Sequence, residues 1–201
     1  GSKYILKRIL DIFFILIFSV ILLPVAIITY LYILIISGSP AIIKQIRVGL
    51  HGNNFNMYKF RTMEINSHVK RDDFSDLNEH SGPLFKINDD PRIINGAKFL
   101  RKFSIDEIPQ IINVIKGEMS LVGPRPLFPE DNSYFDENYM RRLNVYPGIT
   151  GLLQINERNT DDFEVWYKYD LEYIENWSLF LDIKIIMLTP LSLMSSKIKG
   201  K

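Results

Sequence analysis

Residues 101–126 read RKFSIDEIPQIINVIKGEMSLVGPRP, and the rest of the chain is arranged around how this run folds. Ile108, Ile111, Ile112 and Ile115 recur at helical spacing, and Lys116-Gly117 supplies a C-terminal cap. Pro109 has no backbone N–H to donate, so it belongs in the first turn. The spacing predicts a short helix beginning near Asp106. Two readings of Asp106-Glu107 stay open. Ser104 followed by Glu107 fits a capping box, and acidic residues suit the first turn of any helix. Alternatively, a helix N-terminus attracts anions, Arg101 and Arg125 bracket a phosphate with forked donors, and the paired carboxylates hold Mg²⁺ against phosphate oxygens. The rigid Pro124-Arg125-Pro126 turn fixes where one guanidinium points.

Working toward the N-terminus, Gly1-Ser2 reads as an expression scar. From Ile12 to Ile36 there is no charged residue. At about 1.5 Å per residue, those roughly 25 residues are long enough to span a bilayer. Pro24 interrupts the run and removes a helix hydrogen bond. Lys3, Lys7 and Arg8 precede it and Lys44 and Arg47 follow, so the positive-inside tendency puts both flanks on the cytoplasmic face. Each half is about 12 residues, too short to cross alone. A helix–break–helix hairpin in one leaflet and an ordinary kinked transmembrane helix are the two alternatives. Asp11 is spaced to pair with Lys7 and Arg8 at headgroup level.

Residues 40–63 read as two short strands around a polar Gly52-Asn53-Asn54 turn. Lys59 and Arg61 then share one strand face, which suits a diphosphate, a headgroup or plain solvent. Residues 64–90 read as a polar surface excursion. Residues 130–138 read as an acidic loop. Tyr146-Pro147-Gly148-Ile149-Thr150-Gly151 offers tight turns, either structural or lying against a ligand, followed by Gln154, Asn156, Arg158 and Asn159. A helix over 161–177 is expected, then a second apolar run, Leu179 to Met187, capped by Ser178 and ended by Pro190. Aromatic and basic residues beside its apolar stripe suit either core packing or the membrane interface, the latter favoured beside a membrane hairpin, and Lys197, Lys199 and Lys201 suit anionic lipid.

Charge is nearly balanced, with 24 Lys and Arg against 23 Asp and Glu. That gives no basic excess for nucleic acid. Cysteine is absent, which excludes disulfides and thiolate metal sites. His51, His68 and His80 lie in polar stretches, which argues against a zinc site or a serine–histidine triad.

The run Ser104 to Gln110, then Asn113, Lys116-Gly117 and Val122 to Pro126, resembles the bacterial sugar transferases, the monotopic polyprenyl-phosphate phosphoglycosyl transferases. Matches extend from about Lys7 to Ile186 and include Gln45, Arg47, Gly49 and Lys59 to Met63. The resemblance implies an α+β fold, mostly helical, with a short β-hairpin. Residues 3–39 would form a re-entrant membrane hairpin broken at Pro24, and residues 40–201 a catalytic domain with interfacial helices. It implies transfer of a phospho-sugar from a UDP-sugar to polyprenyl (undecaprenyl) phosphate, giving polyprenyl-diphosphate-sugar and UMP. Asp106 would be the covalent nucleophile and Glu107 its partner, with Mg²⁺ at both. Lys59, Arg61, Arg101, Pro124, Arg125, Pro126, Gln154 and Arg158 would bind substrate, while Lys7 and Arg8 would meet the lipid headgroup. The implied location is the cytoplasmic face of the bacterial inner membrane, in one leaflet, among membrane lipids, with a homodimer allowed. Leu23 stands where the family often has Ser, Tyr146 where it often has Arg, and Glu157 where it often has Gly. A membrane-bound nucleotide-sugar hydrolase and a non-catalytic membrane scaffold are the competing readings.

Overall fold

The apolar run folds as one helix, α1 (Ser2–Ser37), which continues through Pro24. The structure, a computed structural model, describes residues 2–65, 67, 87, 90–158, 160 and 162–195. The excursion from 68 to 86, with His68, His80, Phe85 and Lys86, lies outside the described residues, as do Asn159 and the lysine tail. A helix that is apolar all round is either a core helix or a membrane segment. Exposure decides between them here. Leu16, Val20, Ile21 and Ile28 are 66–77% exposed, so the middle of α1 is no core helix, and its length and composition are compatible with membrane association.

Both ends of α1 are held by one folded body. Near its start, Ile15 packs with Met57, Val114 and Met119. Near its end, Ile33 is fully buried with Ala41, Phe60, Ala97 and Leu100. The expected strands form β1 (Ile42–Val48) and β2 (Asn54–Phe60), antiparallel from Ile42↔Phe60 to Val48↔Asn54. Helix α2 (Lys98–Lys102) leads into a 3-10 turn, Ile105–Gln110, and then α3 (Ile111–Lys116). The helix expected at Asp106 therefore starts as a tighter 3-10 turn. Gly117 caps α3 with φ +79°, as its sequence position required.

Beyond α3 the structure adds a strand pair that the turn-rich sequence concealed. β3 (Ser120–Val122) and β4 (Gly148–Thr150) are parallel. Each is three residues long, too short for an alternating pattern to register. α4 (Leu152–Asn156), α5 (Phe163–Asn176) and α6 (Leu179–Ser195) complete the chain. Ser178 caps α6 by accepting from Leu181 N (3.1 Å). Pro190 lies inside α6 and does not end it, contrary to expectation.

The glycines around β4 serve packing between backbones. A Cβ on Gly148 would stand 2.1 Å from Gly123 N, and one on Gly123 would stand 2.2 Å from Tyr146 O. Backbone cannot yield as a flexible side chain does. Gly148→Ala is expected to destabilise the fold by about 1–3 kcal/mol or more, lowering the melting temperature by roughly 2–4 °C per kcal/mol. Thermal unfolding in detergent measures this, and an unchanged melting temperature would contradict the β3–β4 packing.

Candidate active site

Ser104 takes the left-handed conformation (φ +55°), uncommon for a residue with a Cβ. It accepts Glu107 N at its carbonyl (3.1 Å), while its hydroxyl pairs with Arg158 Nη2. The capping box is therefore not formed, and the structure decides against that reading of Ser104 and Glu107. Glu107 turns inward instead. Its Oε1 accepts from Lys59 Nζ (2.9 Å) and Arg125 Nη2 (2.6 Å), and Arg125 Nη1 lies 3.5 Å from Oε2. Asn113 locks this arrangement to the hairpin. It accepts Tyr58 N (3.0 Å) and donates to Asn56 O (2.7 Å).

The neighbouring carboxylates are thus unlike. Glu107 is saturated by two cations, and Asp106, 7% exposed, has no hydrogen-bond partner among the described residues. Both feel burial, which favours the neutral acid. For Glu107 the charges of Arg125 and Lys59 and their hydrogen bonds outweigh burial and hold its carboxyl well below the usual range. For Asp106 burial is the largest influence. With the negative charge of Glu107 it outweighs Lys59, Arg101 and Arg125, so the carboxyl is raised. Lys59 is lowered by burial, against the pull of Glu107. Arg158 also lies within electrostatic reach of both carboxylates. Four cations around two anions leave two positive charges uncompensated, the charge balance of a site for an anion.

Not every expected residue joins this cluster. Lys59, Arg101, Arg125 and Arg158 surround the carboxylates, with Arg101 exposed and only weakly tied to Thr62 Oγ1 (3.5 Å). Pro124 and Pro126 are buried on either side of Arg125. Gln154 Nε2 and Arg158 Nη1 are buried without a hydrogen-bond partner among the described residues. Arg61 stands apart from the carboxylates. It lies just past the end of β2, and its guanidinium binds Ser37 Oγ (2.8 Å) and Gly38 O (2.7 Å), closing the end of α1. Lys7 and Arg8 also have protein partners where lipid headgroups were expected. Lys7 is 5% exposed and donates to Asp182 (2.6 Å), Val122 O (2.9 Å) and Tyr173 Oη (3.2 Å). Arg8 donates to Val114 O and to Ile115 O (2.5 Å), carbonyls of the last turn of α3. Asp11 accepts from Ser120 Oγ and Leu121 N, both at 3.0 Å. Residues at headgroup spacing on an isolated helix are here the studs that fasten α1 to the body. Asp182 and Tyr173, their partners, carried no sequence signal.

Residues 2–196 match the description of the bacterial sugar transferases. The chain belongs to that family. A galactosyl transferase of Streptococcus agalactiae is 48% identical over 76% of this chain and 34% of its own length. The undecaprenyl-phosphate galactose phosphotransferase of Salmonella typhimurium is 38% identical over 94% of this chain and 40% of its own. The UDP-glucose:undecaprenyl-phosphate glucose-1-phosphate transferase of Escherichia coli is likewise 38% identical over 94% of this chain and 40% of its own. The chain thus spans between a third and two-fifths of the length of these relatives.

In this member of the family the donors available to Mg²⁺ are few. Among the described residues no group of three His, Asp or Glu side chains converges, and the oxygens of Glu107 already face cations. Of the two carboxylates, Asp106 would be the one able to meet a Mg²⁺ ion carried by a phosphate ligand, and the ion would supply charge neutralisation there.

The raised carboxyl of Asp106 has a consequence for a reaction that uses its ionised form. On the acid side, kcat/KM is expected to rise with pH through the Asp106 value, above the ordinary aspartate range, because that limb reports the free protein. A pH profile measures it, and a limb at or below that range contradicts the burial argument.

Proposed function

We propose that this chain transfers a phospho-sugar from a UDP-sugar to a polyprenyl phosphate, releasing UMP. The observation that carries the proposal is the inequality of the two carboxylates. Glu107 is consumed in holding Lys59 and Arg125, whereas the Asp106 carboxylate, without a hydrogen-bond partner among the described residues, is buried and ringed by cations. Relatives named for undecaprenyl-phosphate sugar transfer support the substrate pair.

In this mechanism the diphosphate of the donor binds to Arg101 and Arg158, which make no ion pair with Glu107, and to the face of Arg125 turned away from Glu107. Gln154 Nε2 and Arg158 Nη1 provide further donors. An oxygen of Asp106 attacks the β-phosphorus, and the bond to the α–β bridging oxygen breaks with its electron pair leaving on UMP. An oxygen of the lipid phosphate then attacks the same phosphorus, and the carboxylate of Asp106 departs restored. Lys59 stays bound to Glu107, which keeps the positive wall fixed as charge moves. Mg²⁺, when bound, neutralises charge on the diphosphate.

The membrane arrangement follows from α1. A straight helix from Lys7 to Ser37 would be about 45 Å long, the full depth of a bilayer with its headgroups. Lys7 is fastened to Val122 and Ser37 to Arg61, and one body cannot sit on both sides. We therefore place α1 in one leaflet, bent near Pro24, with its exposed apolar middle in lipid, the catalytic body on the cytoplasmic face, and the whole at a bacterial inner membrane.

Purified protein, Mg²⁺, polyprenyl phosphate and a panel of UDP-sugars test the proposal. UMP release that requires the lipid is expected. Release of UDP rejects phospho-sugar transfer, and UMP release indifferent to lipid favours a nucleotide-sugar hydrolase.

A further inference from the structure

The turn that carries Arg125 cannot tie itself down, because Pro124 and Pro126 lack a backbone N–H. Its three successive carbonyls all accept from elsewhere in the chain. Gly148 N donates to Pro124 O (2.9 Å), Arg142 Nη2 to Arg125 O (2.5 Å), and Arg47 Nη1 to Pro126 O (3.3 Å). The middle donor is itself anchored. Arg142, 4% exposed, lies on the 3-10 turn Tyr139–Asn144 and donates from Nε to Asp170 Oδ2 on α5 (3.0 Å). The same oxygen accepts from Tyr139 Oη (2.8 Å), and Asp170 is 3% exposed.

No step of the proposed chemistry touches Asp170 or Arg142. A buried ion pair adds little stability over well-packed apolar side chains. What this pair supplies is direction. A guanidinium fork with one arm on a carboxylate and another on a carbonyl is fixed at both ends. A displacement of that carbonyl is carried directly to the side chain on the same residue.

We infer that Asp170 and Arg142 are positioning residues for the donor diphosphate. The pair holds the carbonyl of Arg125 and so sets where its guanidinium stands between Glu107 and the ligand. The inference rests on the proposed transfer reaction for the identity of that ligand. Asp170→Asn keeps the size and an acceptor oxygen but removes the charge that orients Arg142. Loss of such support costs on the order of 10–100-fold in activity or affinity.

The test is a double-mutant cycle of Asp170→Asn with Arg125→Ala, read in kcat, in KM for both substrates, and in affinity for UDP by calorimetry. Alone, Asp170→Asn is expected to lose about 10–100-fold in kcat/KM. The loss falls on KM for the UDP-sugar, with KM for the lipid unchanged. In the Arg125→Ala background it is expected to lose nothing further. Additive losses, no loss, or a loss shared equally between the two substrates would overturn the inference. Should melting curves show Asp170→Asn unfolded at assay temperature, Tyr139→Phe takes its place under the same criteria. If the wild-type chain releases no UMP, the transfer reading fails by itself. The cycle is then read in UDP affinity, where additivity ends the positioning role and non-additivity keeps it.

Discussion

Asp106→Asn is expected to lower turnover by roughly a thousandfold or more, as removal of a covalent nucleophile does, while the protein remains folded. The two expectations belong together. Asp106 has no hydrogen-bond partner among the described residues, and burial raises its carboxyl, so its charge is a burden on the fold. Replacing it with a neutral amide of the same size removes that burden. The melting temperature in neutral buffer should hold or rise while UMP release disappears. A variant that loses activity by unfolding would assign Asp106 a structural task, contrary to the separation drawn here. Retention of turnover would remove it from the chemistry altogether.

Glu107→Ala is expected to show the opposite pattern, with stability lost first. Lys59 and Arg125 would be left beside each other without their counter-charge, and removing one partner from such a buried pair costs about 3–5 kcal/mol. For a chain of this size that lowers the melting temperature by roughly 6–20 °C. The sign of the pH dependence follows from the depressed carboxyl of Glu107. Its contribution is fully present above the ordinary glutamate range and is lost as pH falls through its lower folded value. The penalty of Glu107→Ala should therefore be full at neutral pH and shrink only in strong acid. Differential scanning calorimetry at several pH values would show this. Equal melting of variant and wild type at neutral pH would contradict the assignment of Glu107 to the two cations.

The sequence made some of this legible and hid the rest for physical reasons. The apolar length of α1, the hairpin, and the glycine cap at residue 117 each rest on a local rule, and each was read. The neighbourhood of Asp106 was read as well, from charge and motif. The two readings at Ser104 stay open in the sequence because a capping box and an αL serine share the same residue types. Only the partner of the hydroxyl, Arg158, distinguishes them, and it lies 54 residues away. Strand alternation and headgroup spacing are properties of isolated elements, so they do not show that Arg61 and Lys7 have partners within the chain. Their partners, the carbonyls closing α1 and Asp182 on α6, are tertiary. The β3–β4 pair escaped because glycines chosen for backbone contact resemble glycines chosen for turns.

In the proposed reaction Asp106, and no other side chain, takes the phosphoryl group. Protein incubated with Mg²⁺ and a UDP-sugar it turns over, without lipid acceptor, then quenched and digested for peptide mass spectrometry, tests this directly. A phospho-sugar adduct is expected on the peptide at Asp106, lost when polyprenyl phosphate is added before quenching. An adduct on Glu107 or another residue, or turnover with no adduct trapped on rapid quench, would contradict it.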